Sequence, residues 1–143
     1  MKKLIILNLL GFIPLFIGII MNYIIMQDVI LSFNLIGFIF IILWIFIGYK
    51  TEGIEETPGK SSISIHMPGA FALILVLFQE IILGQYWLNL LGLLSQLYFL
   101  PLISLGSYFT FWTPRIWPVY IVAFLLMIGS YYIGIRIKKR RQR

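Results

Sequence analysis

Apolar residues run along this chain in long stretches that short polar segments interrupt. A helix needs roughly 20 apolar residues to cross the hydrocarbon core of a bilayer. Four stretches have this length, over about 4–26, 29–49, 69–87 and 118–137. Only Gln27 and Asp28 separate the first two, so these two form a helical hairpin. The pattern predicts an all-α integral membrane protein with four transmembrane helices arranged as two hairpins.

The stretch from Ala70 to Trp112 is too long for a single span. A straight helix of that length would measure about 65 Å, which is about twice the hydrocarbon thickness. We expect a break near Gly84 or Pro101. The stretch then contains either two spans, which gives five in all, or one span followed by an interfacial or re-entrant segment over about 88–112.

Polar residues within this stretch follow the rhythm of one helical face. They recur at i, i+4, i+7, i+10 and i+11, between leucine and aromatic residues. This spacing is typical of an amphipathic helix at a membrane interface. It also fits a fifth span whose small and amide residues pack against neighbouring helices. The residues are Gln85, Asn89, Gly92, Ser95 and Gln96.

Basic residues distinguish four spans from five, because cytoplasmic loops collect Lys and Arg. The chain has 11 Lys and Arg. Four spans with a cytoplasmic N-terminus place only Arg115 outside, which leaves 11 − 1 = 10 inside. Five spans leave at best six inside, all in the basic tail 136–143, and 11 − 6 = 5 outside. We therefore predict four spans, an interfacial or re-entrant helix before the last span, and cytoplasmic N- and C-termini.

The segment 50–67 is predicted to be a polar cytoplasmic loop. It carries Glu52, Glu55 and Glu56, followed by a Thr-Pro-Gly-Lys turn signal. Its last part, 61–66, alternates polar and apolar residues, which predicts a short strand or an amphipathic approach to the membrane. Pro68 would then stand in the first turn of the third span, where proline is favourable.

Composition excludes an ordinary soluble domain. Hydrophobic residues make up 61% of the chain and charged residues 11%, with a mean hydropathy of +1.00. The net charge of +6 flanks apolar segments, which suits anionic lipid headgroups better than nucleic acid. The absence of cysteine excludes disulfides, thiol nucleophiles and thiolate metal sites. The residue usage is typical of an AT-rich bacterial genome, so we expect a bacterial plasma membrane.

Glu80 is the one acidic residue embedded in a long apolar segment. An ionisable group at membrane depth costs about 2.5–3.5 kcal/mol on insertion scales, so it needs a partner or a use. It is either a proton or cation relay or a general acid–base, or a structural carboxyl that bonds a polar neighbour such as Asn34. The candidate intramembrane polar site comprises Glu80, Gln79, Gln85, Asn89 and Gln96.

The remaining chemistry-bearing residues flank the spans. His66 lacks companions at metal-ligand spacing and is interpreted as an ordinary interfacial residue. Headgroup contacts are predicted around the last span, from Arg115, Trp112 and Trp117 at its start and from Lys138, Lys139, Arg140 and Arg141 in the tail. We predict no metal and no cofactor.

The sequence contains no catalytic motif such as GxSxG, SxxK or a phosphate-binding loop. We therefore expect a small membrane protein, not an enzyme, that acts through a protein partner as an accessory subunit, an immunity or resistance protein, or a sensor. The alternative is an oligomeric transporter or channel component that uses Glu80 and the polar face. A membrane-embedded enzyme ranks last, because His66 and Arg115 are predicted to lie about a bilayer apart. The predicted partners are membrane lipids and a membrane protein or a second copy, with no nucleic acid.

Overall fold

The protein is all-helical across the residues that the computed structural model describes, 2–55, 57–87 and 89–141. Met1, Glu56, Leu88, Gln142 and Arg143 lie outside this description, as does the side chain of Lys2. The helices are α1 (Lys2–Leu10), α2 (Ile13–Ile25), α3 (Phe33–Thr51), α4 (Pro58–Leu77), α5 (Leu90–Leu97), α6 (Ile103–Phe109) and α7 (Trp117–Arg141).

Five helical stretches in the described part of the chain are long and apolar enough to cross a membrane. This confirms the predicted all-α class, with helices that can span a membrane. The stretches are Lys3–Ile25, Phe33–Thr51, Pro58–Ile82, Leu90–Phe109 and Trp117–Arg141. The fourth is not one straight helix, because it consists of α5, a 3₁₀ turn over Leu100–Leu102 and α6.

Helix α4 begins at Pro58, so the segment between α3 and α4 is shorter than the predicted loop 50–67. Thr57 caps the helix by accepting a hydrogen bond from the Lys60 N–H (3.3 Å). The alternating segment 61–66 is helical and not a strand, because its serine hydroxyls find hydrogen-bond partners within the helix. The Ser64 hydroxyl, for example, donates to the Lys60 carbonyl (2.9 Å). Pro68 consequently lies inside the helix and not in its first turn.

Helices α3 and α7 are parallel and share the most extensive contact between two helices of the described bundle. A Cβ atom added to Gly48 would overlap the carbonyl of Tyr131, and one added to Gly134 would overlap the carbonyl of Ile45. Both helices finish at the same end of the bundle, which we name the tail end. There the Lys138 ammonium donates to the Glu52 carbonyl (2.7 Å).

The opposite end, where α4 finishes and α7 begins, is named the hairpin end after α5 and α6. Helix α5 starts there, since the Gln79 side chain near the end of α4 accepts a hydrogen bond from the Trp87 N–H, three residues before α5 (2.8 Å). The chain then runs into the bundle, where the Leu97 backbone lies against Gly18 in the middle of α2.

Helix α6 returns the chain to the end from which it entered. Gly106 lies against Val119 in the first turn of α7. Tyr108 accepts a hydrogen bond from Asn34 in the first turn of α3 (3.0 Å). Residues Leu90–Phe109 therefore form a helical hairpin, the α5–α6 hairpin, with both ends at the hairpin end and its tip in the core.

Aromatic side chains fill the core between the hairpin tip and helices α3, α4 and α7. Trp44 is fully buried and stacks on Phe40, with ring centroids 5.4 Å apart. Phe99, at the tip of the hairpin, packs edge-on against Tyr120 of α7 (5.6 Å). This packing fixes how far the hairpin enters the bundle.

Candidate functional site

The candidate site forms where α4 ends in a single π-helical turn, Phe78–Ile82. The Leu83 N–H donates to the Phe78 carbonyl five residues back (3.2 Å), which widens the turn. Gly84 follows with a φ of +65°, a left-handed conformation that glycine adopts without strain. The wide turn directs Gln79 into the bundle and Glu80 towards α7. Turns of this kind frequently occur at functional sites.

Gln79 is fully buried and joins α4 to the segment that follows it. Its amide nitrogen donates to the Leu75 carbonyl (3.1 Å) and to the Ser95 hydroxyl (3.2 Å). Its amide oxygen accepts from the Trp87 backbone N–H (2.8 Å). One side chain therefore holds both the turn after α4 and the first helix of the α5–α6 hairpin.

Glu80 is half-buried and connects α4 to the start of α7. Its carboxylate accepts hydrogen bonds from the Tyr86 hydroxyl (2.5 Å) and from the Ile116 backbone N–H (3.1 Å). Ile116 directly precedes α7, so the carboxylate caps that helix from outside and lies at the positive end of its dipole. This placement accounts for an acidic residue within an apolar segment.

The predicted neighbour of Glu80, Asn34, has other partners. Its amide donates to Tyr108 and its carbonyl accepts from the Ser104 hydroxyl, so it joins α3 to α6. The donors that reach Glu80 are Tyr86 and the Ile116 N–H, and the sequence does not reveal them because the path of the chain from 83 to 116 decides which polar groups meet. The partner of Glu80 is therefore not Asn34, although Glu80 does have a structural role.

Tyr86 completes the network and was not singled out from the sequence. Burial, followed by its hydrogen bond to Glu80, raises the pKa of the Tyr86 phenol above its usual value. The phenol consequently stays protonated and donates to the carboxylate. The only signal in the sequence was its position six residues after Glu80, just beyond the Gly84 turn.

The rest of the predicted polar face does not lie on one helix. Gln85 is exposed in the turn before α5. Asn89 caps α5 by accepting a hydrogen bond from the Gly92 N–H (2.9 Å). Gln96 is half-buried on α5 itself. The positive φ at Gly84 and the cap at Asn89 interrupt the helix that the spacing indicated, so Gln85 is separated from the residues of α5.

The predicted headgroup residues lie at both ends of the bundle. Trp112 and Arg115 are exposed at the hairpin end, whereas Trp117 is half-buried. In the tail, Lys139, Arg140 and Arg141 are exposed. Lys138 is half-buried and faces Glu52, with which it also forms an ion pair (3.7 Å). Lys138 therefore has a protein partner where a headgroup contact was predicted.

His66 is buried inside the bundle and is not the interfacial residue that its sequence position indicated. The Trp44 indole N–H donates to Nε2 (3.2 Å), and Nδ1 lies 2.7 Å from the Ser62 carbonyl. An indole is only a donor and a carbonyl only an acceptor, so the imidazole is neutral with its hydrogen on Nδ1. The Tyr131 ring packs against it edge-on (5.3 Å). Nε2 thus joins α4 to α3, whereas Nδ1 bonds within α4.

Four of these polar residues connect separate elements of the bundle, namely Asn34, His66, Gln79 and Glu80. In the described part of the chain, every buried side-chain nitrogen and oxygen has a hydrogen-bond partner. Among the same residues, no group of three or more His, Asp or Glu side chains is arranged to hold a metal ion. The network can therefore position the α5–α6 hairpin and the start of α7 as one rigid unit.

No family model matches this chain, and neither a curated protein nor a solved structure resembles it significantly. Its function therefore has to be inferred from the geometry.

Proposed function

We propose that the protein has four transmembrane spans and a re-entrant α5–α6 hairpin that enters the membrane from the outside. The support is that Leu90–Phe109 begins beside Gln79 and ends beside Asn34, both at the hairpin end. The two short helices together turn back inside the bundle. A broken backbone is tolerated at that depth because it is buried in protein.

The distribution of charge supports a cytoplasmic tail end. Helix α1 lies beside the first half of α4, α3 finishes at this end and α7 leads into the basic tail. Of the 10 Lys and Arg in the described part of the chain, nine then lie inside, because Arg115 alone among them is at the other end (10 − 1 = 9). This asymmetry is typical of cytoplasmic loops and termini.

Cysteine labelling tests this topology directly, because the chain contains no cysteine of its own. Single substitutions Gln85→Cys and Thr113→Cys stand before and after the hairpin, with Lys60→Cys as the tail-end control. We expect a membrane-impermeant maleimide to label the first two in intact cells and the third only after lysis. Labelling of positions 85 and 113 from opposite sides would establish a fifth span.

We propose further that this is a non-catalytic protein of a bacterial plasma membrane that acts by binding another membrane protein. The observation that supports this function is an exposed aromatic cluster at the end of the hairpin. Its members are between 61% and 86% exposed, and Phe111 is the most exposed of them. The aromatic cluster consists of Tyr108, Phe109, Phe111 and Trp112.

A fixed position distinguishes this cluster from an ordinary belt of interfacial aromatic residues. Asn34 holds Tyr108, while Glu80 holds the start of α7 just beyond the cluster. Trp112 donates its indole N–H to the Phe109 carbonyl (3.2 Å), so the ring is itself constrained. Rigid exposed aromatic side chains lose little entropy on binding and dominate many protein interfaces.

Photo-crosslinking in the native membrane tests the partner. A photoreactive phenylalanine at position 111 is compared with one at position 71, because Phe71 is also exposed (62%) but lies within α4. We expect a single protein adduct from position 111 only, which Trp112→Ala weakens. Adducts with lipid alone at both positions would contradict a protein partner.

A second candidate function is that of an oligomeric transporter or channel component. The observation that favours it is the broken hairpin beside Gln79 and Glu80, since discontinuous helices often line ion and substrate paths. The hydrogen bonds of Glu80 to Tyr86 and Ile116 favour the structural role instead. Ion flux into proteoliposomes tests this function. Flux through the wild type that is abolished in a correctly folded Glu80→Gln variant would favour transport over partner binding.

A further inference from the structure

An apolar groove runs along the outside of the bundle between α3, α6 and α7. Its volume is about 420 Å³, and it continues into a neighbouring depression of about 500 Å³ beside α6. Gly129 and Ser130 form its floor, and Ile41, Phe109 and Ile133 stand around it. The groove faces the region where the bilayer surrounds the protein.

The residues at the floor of the groove need no hydrogen-bond partner from the molecule that occupies it. A Cβ atom added to Gly129 would meet nothing within 4 Å, so the space above it is open. The Ser130 hydroxyl already donates to the Leu126 carbonyl (2.7 Å). Membrane helices that associate commonly use small residues and hydrogen bonds across the contact. Here the available hydroxyl is already bonded within α7, which favours a hydrocarbon chain over a helix.

Two arginines of α7 lie beyond the groove towards the tail end, because both follow Ile133, the last residue of α7 that lines it. Arg136 lies two helical turns beyond Gly129, and its guanidinium is 5.1 Å from the centre of the Tyr132 ring. The Arg141 guanidinium lies 6.0 Å from the Tyr49 ring on α3. These cation–π contacts hold the Arg136 guanidinium on α7 and the Arg141 guanidinium against α3, and both helices border the groove. Both arginines are exposed.

We propose that this groove binds one anionic phospholipid of the tail-end leaflet, with an acyl chain over Gly129 and the phosphate between Arg136 and Arg141. The dimensions fit this occupant. From Leu126 to Arg136 the helix rises about 15 Å, which is half of the ~30 Å hydrocarbon thickness and thus the depth of one leaflet. Guanidinium groups bind phosphate oxygens with paired hydrogen bonds.

Native mass spectrometry of the purified protein tests the site with two probes of equal chain length, phosphatidylglycerol and phosphatidylcholine. We expect one phosphatidylglycerol to bind with clear preference. The double variant Arg136→Gln/Arg141→Gln should lose about tenfold in affinity for phosphatidylglycerol and leave phosphatidylcholine unchanged. Equal binding of both lipids to the wild type would overturn the proposal.

A matched charge control separates the site from the general attraction of a basic tail. Lys3→Gln/Lys139→Gln removes the same charge from two exposed residues at the same end. We expect this variant to keep the preference for phosphatidylglycerol. A loss as large as that of the arginine variant would show diffuse attraction and no site.

A second pair of variants tests the groove itself. Gly129→Leu fills it, whereas Gly129→Ala changes helix propensity by a similar amount and leaves it open. We expect the leucine variant to lose the bound lipid and the alanine variant to retain it. If Gly129→Leu instead converts a dimer to monomers and lipid binding persists, a second copy occupies the groove and the proposal is wrong.

The lipid site goes beyond the proposed partner function and does not depend on it. Lipid binding to the purified protein is measured without a partner and without reference to topology. Failure of the lipid experiment would leave the aromatic cluster at the hairpin end untouched, and failure of the crosslinking experiment would leave the groove untouched.

Discussion

The glycine seam between α3 and α7 at the tail end and the polar network at the hairpin end hold the bundle together by different kinds of contact. At the tail end, α3 and α7 approach backbone to backbone at Gly48 and Gly134. The space at these two positions is too small for any side chain. At the hairpin end, Gln79 and Glu80 join elements through hydrogen bonds to side chains and to exposed backbone groups. The first kind of contact depends on shape and the second on the pairing of donors and acceptors.

The difference teaches where each end tolerates change. A carbonyl oxygen packed against a glycine cannot move aside without shifting a whole helix. A hydrogen bond in a membrane protein contributes less, about 0.6 kcal/mol on average, because polar groups find other partners. We infer that the glycine seam at the tail end sets the stability of the fold, while the polar network sets the position of the α5–α6 hairpin.

The largest effect is expected from breaking the glycine seam. Gly134→Ala places a methyl group on the Ile45 carbonyl, so α7 must shift away from α3. We expect the free energy of unfolding to fall by about 1–3 kcal/mol, the usual cost of overpacking. Thermal or denaturant unfolding in mild detergent measures it.

Gly129→Ala is the matched control for this prediction. It makes the same change in the same helix at a position where a Cβ atom has open space. The gain in helix propensity should leave this variant as stable as the wild type or more stable. Equal destabilisation by the two substitutions would show that the seam does not depend on close approach.

A smaller effect is expected from the polar network. Gln79→Leu leaves the Trp87 N–H and the Ser95 hydroxyl without the amide, at a cost of about 1–2 kcal/mol. Gln85→Leu removes the same side chain from an exposed position and should change stability little. Hydrogen exchange at the α5–α6 hairpin measures the local effect. Protection unchanged in Gln79→Leu would contradict the assigned role.

The sequence predicted the apolar stretches well and their interruptions less well. Length and hydropathy are sufficient to find helices that can span a membrane, and all four predicted spans overlap such helices. The start of α4 at Pro58 was not predicted. Serine and histidine indicate a polar loop when the hydrogen-bond partners of their side chains are unknown. Ser64 and His66 are satisfied by a carbonyl of their own helix and by Trp44, which no spacing rule reveals.

The candidate site was predicted in its residues but not in its geometry. Glu80 and Gln79 were found because an amide and a carboxyl are unusual in an apolar segment. Their partners Tyr86, Trp87 and Ile116 become neighbours only when the π turn and Gly84 redirect the chain. Contacts between residues up to 36 positions apart depend on that path, and hydrophobic periodicity does not contain it.

The smallest effect is expected from the carboxylate cap of α7. Glu80→Gln keeps an oxygen for the Ile116 N–H but removes the negative charge from the helix N-terminus. We expect a loss of about 0.5–1 kcal/mol in the free energy of unfolding, the size of a helix-dipole interaction. A larger loss, comparable with that of Gly134→Ala, would mean that the hairpin end and not the glycine seam sets the stability of the fold.

The partner of that cap, Tyr86, gives the prediction a pH signature. Its pKa is raised in the folded protein, so folding favours the protonated phenol. This contribution to stability is complete below the unfolded pKa of about 10 and is lost as the pH rises above it. We expect Tyr86→Phe to reduce the fall in Tm between pH 9 and pH 11, and Gln85→Leu to leave it unchanged. A fall that is the same in Tyr86→Phe and in the wild type would show that other tyrosines cause it, and the Tyr86–Glu80 bond would then contribute little to the folded state.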